Sequence, residues 1–217
     1  MAGVIIRDFP APPPRGPVSP ATRLAFWINA YNELVAEGLR VLGIRETVWE
    51  APDFFDRIQC RAGSEIFSAN DIEHGVLRGN RANPLTGAAP FGPDDPRLAH
   101  AAPLDPRIHF AIHCGARSCP AARRYDGARL GAQLDASTRA FLGEVVTLEG
   151  GTLVATPILR WFAEDFAQWP GGLTGFLAAH LEDGPVKRAV RDGGGSSMTW
   201  RDYDWRLPAP AASAEGR

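Results

Sequence analysis

The residues best equipped for chemistry are gathered in one stretch, Asp105 to Pro120, D-P-R-I-H-F-A-I-H-C-G-A-R-S-C-P. It holds two of the five histidines, His109 and His113, and two of the three cysteines, Cys114 and Cys119. A thiolate beside an imidazole can attack a carbonyl or a disulfide. Two neighbouring thiols can instead cycle with each other. Pro120 suits the first position of a helix, which would make Cys119 its N-cap. The free N–H groups and partial positive charge there favour a thiolate, and Arg117 would add to them. Cys119 is therefore the leading candidate nucleophile, and Cys114 reads as a buried or resolving thiol. Packing competes with every one of these readings, because free cysteine is commonly a small buried hydrophobe.

The segment that must position these groups reads as a strand. Asp105-Pro106 is a turn signal, and Ile108, Phe110 and Ile112 alternate with His109, Ala111 and His113. One face would be apolar, and the other would carry both histidines around a small alanine. Ahead of it, Ser19-Pro20 opens a helix running to Leu42, with Leu24, Trp27, Ile28, Tyr31, Leu34, Val35, Leu39 and Leu42 on one stripe. Asn29 and Asn32 lie beside that stripe, where they either bond a neighbouring loop or serve the site. Residues 54–68 read as a hairpin with Cys60 in the core. Asn70 and Glu73 have capping-box spacing, and His74 and Arg78 share a helix face opposite Ile72 and Val76. Residues 80–104 are rich in proline and glycine and lack periodicity, which suggests a lid or a channel wall.

Further along, a helix is expected from about Ala128 to Leu142 and a hairpin across Gly150-Gly151. A helix follows Thr156-Pro157, with Glu164 and Asp165 on a solvated face. His180 should be peripheral. The run 193–197 reads as a loop, and Met198 to Leu207 as a bulged strand.

The D-P-R-I-H-F-A-I-H-C-G-A-R-S-C-P stretch resembles the signature of the domain of unknown function (DUF) 547 family. F-W-I-N-A-Y-N at 26–32, N-D-I-E-H-G-V-L-R at 70–78 and Y-D-W-R-L at 203–207 are similar to its other motifs, in the family's order. The resemblance implies a domain identity over about residues 22 to 207 and nominates Asn29, Glu73, His74, His109, Cys114 and Cys119 as motif positions. It implies no activity. His113 stands where the family usually has an uncharged residue. The proline-rich lead from Phe9 to Pro20 replaces a helical region.

Composition sets the outer limits. The 217 residues carry a net charge of −2 with 45% hydrophobic content, which suits one globular domain and gives no electrostatic reason to expect nucleic acid or an anionic membrane. Lys187 is the only lysine among 23 basic residues, a bias that points to a GC-rich bacterial genome. No stretch has the ~20 apolar residues of a membrane span, and the start lacks the form of a secretory signal, so the expected location is cytoplasmic. Three cysteines argue against a disulfide framework.

The expected organisation is a flexible lead over 1–20, one α+β domain over 21–207 and a disordered tail over 208–217. The domain would place a small antiparallel or mixed sheet against the long N-terminal helix, in a papain- or transglutaminase-like layout. The leading functional expectation is a thiol-dependent enzyme acting on a small-molecule or peptide substrate. Cys119 or Cys114 would be the nucleophile and His109 or His74 the base, with Asn29 or Glu73 orienting that base. The N–H groups of Gly115–Ser118 would stabilise an oxyanion. Thiol redox through Cys114 and Cys119 is the variant of this reading. No cofactor is expected, but zinc is possible, with Cys114, Cys119 and two of His74, His109 and His113 as ligands. The third reading is a non-catalytic binding domain.

Overall fold

The computed structural model describes residues 4–13, 18–193 and 198–208. Strand β1, Val4–Phe9, comes first. Helix α1, Pro20–Val41, then runs for 22 residues. Ser19 caps it by accepting from the Thr22 amide at 3.1 Å, and Pro20 occupies the first turn, where its missing N–H costs nothing. The predicted apolar stripe is buried at Trp27, Ile28, Tyr31, Leu34 and Val35. A one-turn helix α2, Phe54–Arg57, leads into the hairpin β2, Ile58–Ala62, and β3, Glu65–Ser68. β1 pairs parallel to β2, and β2 pairs antiparallel to β3. Gly38 lets this sheet close on α1: a Cβ there would lie 2.7 Å from Ile58 Cγ2.

A π-helix, Asp71–Leu77, follows. A 3-10 helix, Pro106–Phe110, opens the thiol segment. Then come α3, Leu130–Val145, and the hairpin β4, Thr147–Glu149, with β5, Thr152–Ala155. Gly150 and Gly151 take φ of 56° and 85° in its turn, as glycine permits. The short helices α4, Ile158–Trp161, α5, Ala163–Phe166, α6, Gly172–His180, and α7, Pro185–Arg191, precede β6, Thr199–Trp200. β6 pairs parallel to β5.

The architecture is therefore α+β, with two separate three-stranded mixed sheets instead of one. Two apolar clusters match them. One lies under α1 and the first sheet, and the other lies among α3, the short helices and the second sheet. The 3-10 helix joins the two clusters, with Ile108 in the first and Phe110 in the second.

Several expectations are corrected. Residues 4–9 of the supposed flexible lead are built into the first sheet. Residues 107–113 are not a strand. Asp105 caps the Arg107 amide at 3.1 Å, Pro106 fixes the first turn, and Ile108, His109, Phe110 and Ala111 are all buried, so alternation carried no directional meaning. No helix begins at Cys119-Pro120, and residues 120–126 are irregular. Residues 201–205 are irregular, and the expected long strand shrinks to Thr199–Trp200 plus a bridge from Arg206 to Thr47. Within 80–104, Asn80 bonds twice to the Phe91 backbone and Phe91 is seated against Gly75, while residues 84–89 stay exposed. The glycine-serine loop at 194–197 and the tail from 209 onward lie outside the described residues.

Candidate functional site

Helix α1 sets the geometry of the thiol segment through asparagines. Asn32 donates to the Ala111 carbonyl at 2.9 Å and accepts from the His113 amide at 2.8 Å. Asn29 does the same to Tyr125, donating to its carbonyl and accepting from its amide, both at 2.8 Å. Both amide groups of Asn29 are thus committed to backbone, which is the loop-holding alternative for that residue.

Between these anchors the chain folds the two cysteines onto each other. The Cys114 amide donates to Cys119 Sγ at 2.9 Å, and Cys114 Sγ lies 3.2 Å from the Tyr203 hydroxyl. Hydrogen bonds from Cys119, then Tyr203 and the Ala116 amide, pull the Cys114 thiol below its ordinary range. Burial, reinforced by Cys114, pushes Cys119 up. Cys114, which the sequence ranks second, is therefore the more acidic thiol of the pair. Cys119 instead faces a cleft of about 440 Å³, whose walls include His113, Ser118, Phe141 and Tyr203. The Arg117 and Ser118 amides expected to form an oxyanion site are spent on the Arg206 and Asp204 carbonyls, at 2.8 and 3.3 Å.

The two sequence-nominated bases lie elsewhere. His109 Nε2 bonds Asp165 Oδ2 at 2.9 Å, and its ring stacks on Phe162 at 4.0 Å. Burial lowers its pKa against the pull of Asp165. His74 Nδ1 sits 2.9 Å from Arg78 Nη1. Arginine can only donate, so His74 carries its proton on Nε2, and burial with the Arg78 charge lowers its pKa to about 3. Asp165 ties this group together, accepting from Arg78 Nε at 2.6 Å and Nη2 at 3.1 Å. Burial alone would raise its pKa, but the His109 and Arg78 bonds hold it near 2.

Asp165 is fully buried, which corrects its placement on a solvated face. His74 and Arg78 are buried too, because the π-helix widens the turn (Arg78 N–H to Glu73 O, 2.9 Å) and turns both inward. The capping role expected of Asn70 and Glu73 passes to Ser68 and Asp71, which bond each other's amides at 2.9 and 3.0 Å. His180 is also buried rather than peripheral, bonded to the Phe176 carbonyl at 2.8 Å.

Glu73 is released for another partner. Tyr31 donates to Glu73 Oε2 at 2.9 Å, and burial pushes the carboxyl up to about 7. Glu73 and both cysteines raise the Tyr31 pKa, beneath the larger effect of burial, and Glu73 opposes ionisation of Cys114. The carboxyl, the phenol and the thiols thus share one electrostatic neighbourhood.

His113 donates from Nδ1 to the Pro120 carbonyl at 2.7 Å, so its other ring nitrogen is the unprotonated one. Among the described residues no three His, Cys, Asp or Glu side chains form a group able to hold a metal ion. Nor is any helix there long and apolar enough to cross a membrane.

The family described as "Protein of unknown function, DUF547" matches residues 17–142, more than half of the chain. The chain belongs to the DUF547 family. No curated protein and no solved structure matches it. The DUF547 match takes in Tyr31, Glu73, His74, Arg78, His109 and both thiols, and it ends before Asp165 and Tyr203. Those two residues complete the site from outside the matched segment.

Proposed function

We propose that this DUF547 protein is a thiol-dependent enzyme working by dithiol–disulfide exchange through Cys114 and Cys119. The observation that carries this reading is the fold of 111–120, which brings the Cys114 amide to 2.9 Å from the Cys119 sulfur with Cys119 at a cleft wall. Redox is favoured over acyl transfer for two reasons. Neither His74 nor His109 bonds a thiol, and two of the amides expected to hold an oxyanion, those of Arg117 and Ser118, are already paired. A small-molecule or peptide disulfide in the cleft would be the partner. A reducing, cytoplasmic setting would keep the pair as dithiol. The papain- or transglutaminase-like layout applies only in outline, as a thiol beside a long helix and a sheet.

A second reading, acyl transfer from Cys119 with His113 as base, is favoured by one observation: both line the same cleft. Equilibration in glutathione buffers, acid quenching and mass mapping separate the two. Reversible formation of a Cys114–Cys119 disulfide, with Cys60 unmodified, supports exchange. A glutathione adduct on Cys119 with no internal disulfide overturns it. Stoichiometric zinc on the same sample would restore the metal reading.

A further inference from the structure

The Tyr203 hydroxyl meets the thiol pair directly, and the chain around it is held in place. Its oxygen lies 3.2 Å from Cys114 Sγ. The residue lines the cleft that Cys119 faces, and its ring packs on Trp161 and Trp205, with centroids 5.0 and 4.6 Å away. The next residue is bonded twice to the thiol segment. The Asp204 amide donates to Ser118 Oγ at 2.9 Å, and its carbonyl accepts from the Ser118 amide at 3.3 Å. The Arg206 carbonyl takes the Arg117 amide at 2.8 Å, and the Leu207 carbonyl takes Arg117 Nε at 3.0 Å. On the other side, the Arg201 amide donates to the Ala155 carbonyl of β5 at 2.8 Å. Residues 201–207 thus form a strap that delivers one phenol to one sulfur. A thiol is a weak donor, so the phenol gives the hydrogen of this bond, most strongly to a thiolate. Burial, then the two thiols, hold the ionisation of Tyr203 far above its ordinary range, so it stays a donor.

We propose that Tyr203 sets the redox poise of the Cys114–Cys119 pair by stabilising the resolving sulfur, Cys114, in its reduced form. The proposal rests on the thiol-pair reading above. Cys119 gives its proton to solvent and attacks a substrate disulfide R–S–S–R′. A bond from Cys119 Sγ to R–S forms, and R′–S⁻ leaves. The Cys114 thiolate then attacks Cys119 Sγ, the internal disulfide forms, and R–S⁻ leaves. Two electrons pass from the protein to the substrate. The two leaving thiolates take up two protons from solvent, which received one from Cys119 and one from Cys114 when it ionised. The Cys114 thiolate accepts a charge-assisted bond from Tyr203. In the disulfide that sulfur carries no charge, and the bond loses most of its strength. The hydroxyl therefore favours the dithiol, which makes the pair a weaker reductant and its disulfide easier to reduce. Cys119 and Tyr203 bond Cys114, Glu73 of the π-helix opposes its ionisation, and Tyr31 of α1 feels its charge. His113 precedes it in the chain, and the strap adds the Arg117–Asp204 pair at 4.0 Å. Replacing Tyr203 alone leaves all of these others in place.

The test equilibrates full-length wild type and Tyr203→Phe in glutathione buffers across a range of pH, quenches with acid and reads the internal disulfide by mass mapping. Phenylalanine keeps the ring on Trp161 and Trp205, and an unmodified Cys60, wholly buried in the first core, certifies the fold of each sample. At high pH, where Cys114 is ionised, Tyr203→Phe should shift the equilibrium about tenfold toward the disulfide, or about 30 mV for a two-electron couple. At low pH both proteins hold neutral thiols, and the shift should shrink to within about twofold. Loosened packing would instead shift every pH alike. The high-pH fold-change should also match the change in Cys114 proton affinity read from its alkylation profile, because the two close one linkage cycle. A high-pH equilibrium within about twofold of wild type, or a shift that does not change with pH, overturns the role of Tyr203 and leaves the pair standing. A wild type that forms no internal disulfide in any buffer overturns the thiol-pair reading as well.

Discussion

Glu73→Gln makes a stability prediction that needs no substrate. The carboxyl titrates at its ordinary 4.5 in the unfolded chain and at about 7 in the fold. Between those values the folded protein keeps a proton that the unfolded chain releases, so stability falls as pH rises and the loss is complete above about 7. At about 1.36 kcal/mol for each tenfold change in proton affinity, the loss is about 3 kcal/mol. Glutamine keeps the shape and still accepts from Tyr31, but it cannot ionise. Relative to the wild type, Glu73→Gln should therefore gain about 3 kcal/mol between pH ~4 and pH ~8. For a chain of this length that is about 6–12 °C in Tm. Calorimetry or urea unfolding of fully reduced protein at both pH values measures it. A difference between wild type and variant that does not change with pH would refute the buried, proton-holding carboxyl.

Other outcomes follow from the same contacts. Asp165→Asn removes the counter-ion of buried Arg78 and should cost about 3–5 kcal/mol in urea unfolding. In the wild type, the Asp165 contribution should be lost as pH falls through about 2, the value to which its pKa is depressed. Tyr203→Phe deletes a hydrogen bond that lowers the Cys114 pKa, so the pH profile of Cys114 alkylation should shift upward, read by peptide mass mapping. Asn32→Ala leaves the Ala111 carbonyl and His113 amide unpaired. It should lose about 1–3 kcal/mol by chemical denaturation and speed alkylation of Cys119.

Much of the framework was legible because its signals are local. Ser19-Pro20 and the stripe from Trp27 to Val35 define α1 within one window. Gly150-Gly151 marks its hairpin by needing positive φ. The family resemblance rested on four short motifs, and the match to residues 17–142 contains three of them. The thiol segment was misread because a period of two has meaning only when one face is wet. Here Ile108, His109, Phe110 and Ala111 are all buried at the seam between two cores, and Asp105-Pro106 caps a 3-10 turn as readily as it starts a strand. The buried charges were hidden by distance along the chain. Asp165 meets Arg78 across 87 positions, so a one-turn helix with adjacent Glu164 and Asp165 looked solvated. Tyr31 read as plain core because nothing near it in sequence shows that its hydroxyl ends on Glu73. The paired amides of Asn29 and Asn32, three apart beside the stripe, were the one local hint of what α1 holds in place.

The seam between the two cores bears on how this protein can be cut and recombined. A fragment ending at residue 142, where the family match stops, would keep both thiols, Glu73 and His109. It would leave Arg78 charged and buried without Asp165, Phe110 without Phe166 and Phe176, and Cys114 without Tyr203. A chain cut to the recognisable family segment should therefore unfold at lower urea than the full chain. In a chimera or domain graft, α5, α6 and the stretch around Tyr203 must travel with it.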